Sequence, residues 1–386
     1  NRISRENLTG IRVIRAFGNE KYEEKRFDET NESYAEVAKK LNKLMAISQP
    51  LFFFLLNIAI IVIFWISSKM INVGTLQVGQ LVAFIEYLFH AMFSIMLFSM
   101  VFVMYPKAQV SANRIMEVLN TEPIIKSPKN GIKDTENKGT IEFENVSFTY
   151  PNGEEPVIKD VSFSGKKGEV IAFIGSTGSG KSTLINLIPR FYDVTKGSIK
   201  IDGVDVRDYD LKYLRKKIGF IPQKTLLFTG SIANNIKFGK KDAEYKEVED
   251  SAKIAQAYEF ISNKPNKFDE IITEGGSNVS GGQKQRLSIA RAIVRKPDIY
   301  IFDDSFSALD FKTDAILRKE LRAETKDAIV LIVAQRIGSI MDADKIIVLN
   351  EGEVVGIGTH KELIKNCPIY HEIATSQLTE EELANE

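Results

Sequence analysis

Cysteine is nearly missing from this sequence: Cys367 is the only one among 386 residues. A lone thiol excludes an internal disulfide and offers no zinc-type spacing, which fits a reducing, cytosolic main body. Excess charge is missing too, since 51 Lys and Arg face 51 Asp and Glu. The basic residues are spread along the chain instead of massed in a patch, so charge gives no argument for nucleic acid as a partner. The opening segment, Asn1-Arg2-Ile3-Ser4-Arg5-Glu6, lacks an initiator methionine and the apolar core of a targeting signal. The expectation is a sequence that begins inside a longer protein. Its length leaves room for about two or three ordinary domains.

Charge disappears altogether between Lys43 and Lys69. Residues 44–66 read LMAISQPLFFFLLNIAIIVIFWI, apolar on all sides. A membrane span needs about 20 such residues at a rise of about 1.5 Å each. Pro50 sits near the start, where a kink or a late helix start is tolerable. A second apolar run covers residues 81–105, with Glu86 its only formal charge. Basic residues crowd the flank before the first run, from Arg2, Arg5 and Arg12 to Lys39, Lys40 and Lys43, and Lys107 and Arg114 follow the second. The short connection at 67–80 holds only Lys69. This bias places both outer flanks in the cytosol and the connection outside.

Glu86 and His90 stand at i, i+4 on one face of the second run. Such an ionisable pair is either functional or near enough to the outer interface to reach water. Phe84, Phe89, Met92, Phe93, Met96 and Phe98 read first as packing or lipid-facing residues and second as contacts for a lipophilic compound. Residues 1–43 read as one long amphipathic cytosolic helix. Residues 107–139 read as a connector, helical over 108–119 and then broken at Pro123, Pro128, Asn130 and Gly131.

From Thr140 onward, short β runs alternate with helical stretches. Val170-Ile171-Ala172-Phe173-Ile174 is the continuous apolar run of a buried parallel strand. Gly175-Ser176-Thr177-Gly178-Ser179-Gly180-Lys181-Ser182 follows it directly, with Thr183 next. This is the phosphate-binding loop: backbone N–H groups point inward, Lys181 brings charge to the β- and γ-phosphates, and the Ser182 hydroxyl ligates Mg²⁺. Ile299-Tyr300-Ile301-Phe302-Asp303 is a second buried strand, ending in a carboxylate placed to hold Mg²⁺ through water. The cytosolic side is where ATP is, so the charge bias and the loop agree.

Between these two motifs lies Val279-Ser280-Gly281-Gly282-Gln283. Here the sequence resembles the nucleotide-binding domain of the ATP-binding cassette (ABC) transporter family, whose signature is [LV]-S-G-G-Q. That resemblance implies two such domains sandwiching two ATP molecules, with Ser280, Gly281, Gly282 and Gln283 serving the ATP held by a partner subunit. It implies an adenine contact for Tyr150 in Phe148-Thr149-Tyr150-Pro151. It implies for Gln223, in Ile221-Pro222-Gln223, a reach to Mg²⁺ and a report to the membrane domain. It implies communication across the dimer for Ser307-Ala308-Leu309-Asp310. Asn7-Leu8-Thr9-Gly10-Ile11-Arg12-Val13-Ile14-Arg15-Ala16-Phe17 resembles the cytosolic extension before the fifth helix of exporter-type members. Four earlier membrane helices are then expected outside this sequence.

The expected architecture is the last two of six membrane helices, then an α/β P-loop nucleotide-binding domain with the ABC helical subdomain. The expected divisions are a cytosolic helical extension at 1–43, transmembrane helices at 44–106, the connector at 107–139, the ABC domain at 140–375 and an acidic tail at 376–386. Two positions depart from the family pattern. Asp304 stands where efficient hydrolysers carry Glu to polarise the attacking water, and Gln335 stands where the family has a switch His. Binding parts are intact, so the sequence implies a site that holds ATP·Mg²⁺ and turns it over slowly. An intact signature beside an altered hydrolytic site implies the degenerate half of a heterodimeric exporter in a bacterial-type inner or cell membrane. A slow homodimeric exporter and an ATP-gated membrane protein that does not pump stay open as alternatives. A soluble ABC protein of DNA repair or translation is opposed by the two apolar runs.

Overall fold

In the computed structural model, which describes residues 1–135, 139–151, 153–307 and 309–378, the chain divides into two units, Asn1–Glu122 and Pro123–Glu386. The first unit is helical: α1 (Arg2–Ala16), α2 (Glu20–Asn72) and α3 (Val78–Asn120). The single helix expected over 1–43 is therefore corrected to two. The break falls at Gly18, whose φ of 63° is left-handed. Gly18 and Asn19 donate back to Arg15 and Ile14, closing α1 as a glycine C-terminal cap does. Arg26 of α2 then reaches Glu6 of α1 at 2.9 Å.

The helix does not start late at Pro50, because α2 is one helix of 53 residues that runs through it. At 1.5 Å per residue that is ~80 Å of helix, far more than a ~30 Å hydrocarbon layer, so only its apolar part can lie in one. Both α2 and α3 are long and apolar enough to cross a membrane. Only 11% and 0% of their apolar windows are buried, so the described residues leave these surfaces uncovered. The turn between them ends in a capping box, in which Gln77 and Gln80 each bond the other's backbone. The helical start of the connector is the continuation of α3 through to Asn120. Glu86 and His90 lie 3.9 Å apart, both exposed.

The second unit begins its sheets with β1 (Thr140–Phe148), β2 (Ile158–Lys166), β3 (Val170–Gly175), α4 (Lys181–Leu187), β4 (Lys196–Ile201), β5 (Val204–Asp205), α5 (Leu211–Lys216) and β6 (Ile218–Ile221). A mostly helical stretch follows: β7 (Gly230–Ser231), α6 (Ile232–Lys237), α7 (Tyr245–Ile254), α8 (Tyr258–Ser262), β8 (Ile271–Ile272) and α9 (Gly281–Ile293). The chain returns through β9 (Ile299–Asp303), α10 (Phe311–Glu324), β10 (Ile329–Val333), β11 (Lys345–Asn350), β12 (Glu353–Gly358), α11 (His360–Asn366) and α12 (Pro368–Thr375).

Strands β1, β2, β4 and β5 make an antiparallel sheet in the order β2-β1-β4-β5. The central sheet has the order β12-β11-β3-β10-β9-β6, parallel except for β12. Every residue of β9 and β10 is buried, as a strand covered on both faces must be. Alternate residues feed two cores. Ile171, Phe173, Ile301 and Leu331 pack with Phe143 and Leu184, toward the antiparallel sheet and α4. Ala172, Ile174, Phe302 and Ile332 pack with Leu287, Leu317 and Tyr370, toward the helices.

Lys217, which caps α5 just before β6, ties the sheets together. Its ammonium donates to Asp202 at 2.7 Å and Asp298 at 3.1 Å. Asp202 in turn accepts from the Gly139 and Thr140 N–H groups. The acidic tail expected at 376–386 lies, from residue 379 onward, outside the described residues, as does Ala308.

Candidate functional site

Four neighbouring parallel strands, β3, β10, β9 and β6, each deliver part of the site at their carboxyl ends. This is where ligands settle on open α/β sheets. Register fixes the level, because Val333 pairs with both Phe173 and Asp303. β3 leads into the glycine-rich loop, β9 ends at Asp303, β10 leads to Gln335 and β6 to Gln223.

In the loop, Ser176, Thr177 and Gly178 are exposed while Ser179 is buried. Gly180 caps α4 with φ 96°, and a Cβ there would meet Ile158 at 2.7 Å, so this position needs glycine. The buried Lys181 ammonium donates to the carbonyls of Gly175 at 2.8 Å and Ser176 at 2.7 Å, and to Ser179 Oγ at 3.2 Å. Burial pushes its pKa down, while the carboxylates of Asp304 and Asp303 oppose that shift. A triphosphate can take over these donors, since an ammonium has three and no acceptor.

The Ser182 hydroxyl donates to Asp303 Oδ1 at 2.9 Å. Asp303 is buried at 6% exposure, and desolvation pushes its pKa up despite that bond. A hydroxyl and a desolvated carboxylate, completed by phosphate oxygens and water, fit the donor set of Mg²⁺. Among the described residues no cluster of three His, Cys, Asp or Glu offers an all-protein metal cage.

Asp304 is held from both sides. Gln335 Nε2 donates to its Oδ2 at 2.9 Å and Gln223 Nε2 to the same oxygen at 3.3 Å. Its backbone is left-handed, φ 47°, with its N–H on the Val333 carbonyl at 3.0 Å. Burial pushes the Asp304 carboxyl up, and hydrogen bonds from Gln223 and Ser307 pull it back in part. Tyr150 sits edge-on to Phe148 and Tyr192, and its hydroxyl pairs with Thr183 Oγ1 at 3.0 Å.

The structure thus gathers Gly175, Ser179, Lys181, Ser182, Gln223, Asp303, Asp304 and Gln335 into one crevice. The signature residues are built differently. Ser280 and Gln283 form a capping box at the start of α9, with both hydrogen bonds internal to the pair. Ser280 and Gly281 are exposed, and a Cβ on Gly281 would meet nothing within 4 Å. Asp310 caps α10 through the Thr313 N–H at 3.0 Å, and that bond holds its carboxyl below the usual range. Among the described residues, no hydrogen bond joins Ser280, Gly282, Gln283 or Asp310 to the glycine-rich loop.

Two residues escaped the sequence reading. Tyr192 completes the aromatic corner with Tyr150 at 5.3 Å between ring centres. Gln377 bonds the backbone beside Gln335 from far along the chain. Neither carries a local motif, so no sequence signal marks them.

Comparison with known proteins follows the same division. Residues 158–307 match the ABC transporter family model, and residues 1–105 match the ABC transporter transmembrane region. The chain is 41% identical over 381 residues to the ABC transporter ATP-binding protein YfiB of Bacillus subtilis, covering 99% of this chain and 66% of that protein. YgaD of the same organism, whose name proposes multidrug export, is 35% identical over 372 residues, covering 96% of this chain and 64% of that one. A solved bacterial Atm1-family ABC exporter with ATP bound superposes with a TM-score of 0.87 at 29% identity, covering 98% of this chain and 66% of that one. The chain therefore spans slightly under two thirds of the length of these relatives. With both its membrane helices and its nucleotide crevice matched, the chain belongs to the ABC transporter family.

Proposed function

We propose that this chain is one half of a dimeric ABC exporter that moves a small lipophilic compound across a membrane, with its own site holding ATP·Mg²⁺ and hydrolysing it slowly. The observation that carries the reading is Asp304, tied by Gln223 and Gln335 at the end of β9. Lys181 and the loop N–H groups of residues 175–182 bind the phosphates, with Tyr150 at the adenine. Ser182, Asp303 and Gln223 would hold Mg²⁺, which supplies charge neutralisation on the β- and γ-phosphate oxygens. Asp304 orients the attacking water and Gln335 hydrogen-bonds the γ-phosphate.

Both of these last groups limit the rate. An Asp carboxylate ends one C–C bond, about 1.5 Å, short of Glu. A misplacement of ~1 Å can cost about 10²-fold. Gln335 can neither carry a proton nor a positive charge. The exposed Ser280 and Gly281 at the head of α9 suit contact with ATP on another subunit. An unequal pair then has one slow site, here, and one competent site completed by this chain's signature. YgaD's name and the apolar, uncovered helices support a lipophilic substrate and a membrane location, with the nucleotide crevice in the cytosol.

The test is ATP turnover of the full-length chain in nanodiscs, alone and with any related subunit that co-purifies. The expected result is slow turnover alone and a rise of about 10²-fold in an Asp304→Glu, Gln335→His double variant. Ordinary exporter turnover by the unpaired wild-type chain would overturn the reading. Purification as a pure self-pair with slow turnover would replace the unequal pair by a homodimer.

A further inference from the structure

We infer that Gln377 is a positioning residue for the switch loop: its carboxamide grips the backbone on either side of Arg336 and so sets the Gln335 side chain on Asp304. Gln377 Nε2 donates to the Gln335 carbonyl at 2.9 Å, and Gln377 Oε1 accepts from the Ile337 N–H at 2.8 Å. The amide orientation is chemically determined. A carbonyl can only accept and a backbone N–H can only donate, so only this orientation satisfies both.

What holds Gln377 is equally visible. It follows α12, and its own N–H returns to the Ala374 carbonyl at 3.0 Å. Ala374 and Tyr370 on that helix are fully buried, and Leu378, beside Gln377, packs on the same core. Ile337, at the far end of the gripped segment, is fully buried as well. The segment is thus anchored at one end by packing and at the other by β10, and Gln377 closes the gap between. From the Gln335 backbone the chain of bonds runs on through the Gln335 carboxamide to Asp304 at 2.9 Å. The C-terminal helix thereby reaches the hydrolytic carboxylate without touching nucleotide.

The functional half of this inference rests on the proposed contact of Gln335 with the γ-phosphate. A γ-phosphate contact is read by the preference for ATP over ADP, which a general loss of structure does not change selectively. Dissociation constants for Mg·ATP and Mg·ADP are measured on the full-length chain and on Gln335→Ala, Gln377→Met and the double variant. Gln377→Glu, which keeps the acceptor but not the donor, serves as a second probe. Amide exchange at Ile337 reports the grip directly.

The expected result is faster exchange at Ile337 in Gln377→Met. ATP preference falls roughly three- to tenfold, the size of one ordinary hydrogen bond, because the Gln335 contact is misplaced and not deleted, with ADP affinity unchanged. In the Gln335→Ala background the Gln377 effect disappears, because a residue acting only through another adds nothing once that one is gone. Unchanged exchange at Ile337, or an effect of Gln377→Met that persists in full without Gln335, overturns the inference. If Gln335→Ala lowers ATP preference and neither Gln377 variant does, the inference fails while the reading of Gln335 stands. If Gln335→Ala leaves the preference unchanged, the reading of Gln335 fails and the positioning role with it.

Discussion

At the residue scale the crevice stores unfavourable charge. Asp303 and Asp304 are neighbours in sequence, and burial raises both carboxyls. A raised folded pKa means that the group favours the folded state while protonated, and that this contribution is lost as pH rises through the folded value. At neutral pH the two carboxylates therefore contribute a destabilising term to the nucleotide-free protein. Asp304→Asn removes the charge but keeps an acceptor for Gln223 and Gln335. Its thermal midpoint should exceed that of the wild-type chain at pH 8 in the absence of nucleotide and Mg²⁺, and the gap should close toward pH 4; scanning fluorimetry across that range reads both. Lys181 carries the opposite charge into the same space. Lys181→Met should weaken ATP binding by roughly 30-fold or more, the cost of losing hydrogen bonds to charged phosphates, as titration with a fluorescent ATP analogue would show.

At the element scale the most consequential link is the ion triad between the two sheets. Lys217 and Asp202 side chains are only 5% and 1% exposed, so neither charge can turn to water. Lys217→Met leaves Asp202 buried with two backbone donors and the Thr135 hydroxyl but no counter-charge. It should destabilise the nucleotide-binding unit by about 3–5 kcal/mol, seen as a lower urea midpoint. Capping explains why the helices start where they do: Ser231, Ser280 and Asp310 each accept an N–H of their own first turn. The buried strands β3 and β9 were readable from the sequence. Two helix boundaries were not. Gly18 interrupts a stretch whose polar and apolar spacing continues on both sides, and Pro50 sits inside a helix long enough to absorb one missing N–H.

At the scale of the whole molecule, the two units face different solvents. The uncovered apolar windows of α2 and α3 need lipid or further helices against them. The expressed chain should stay in the membrane pellet through an alkaline carbonate wash and leave it only with detergent. Its recovery in the wash would refute the membrane reading. The nucleotide-binding unit has the opposite character, with apolar residues gathered into two cores on either side of one sheet.

Sequence alone determined the chemistry of the parts: the glycine-rich loop, the strand-end Asp303, the signature, the two apolar spans, and the departures at Asp304 and Gln335. These are local patterns, in which the residue type and its near neighbours carry the physical reason. Tertiary structure decided which parts meet. Strand order put the ends of β3, β10, β9 and β6 side by side. Only that arrangement brings Gln223, 81 residues before Asp304, and Gln335, 31 residues after it, to one carboxylate oxygen. Gln377 became visible for the same reason. A hydrogen bond between a side chain and a distant backbone leaves no periodicity and no motif, so nothing short of the fold could reveal it.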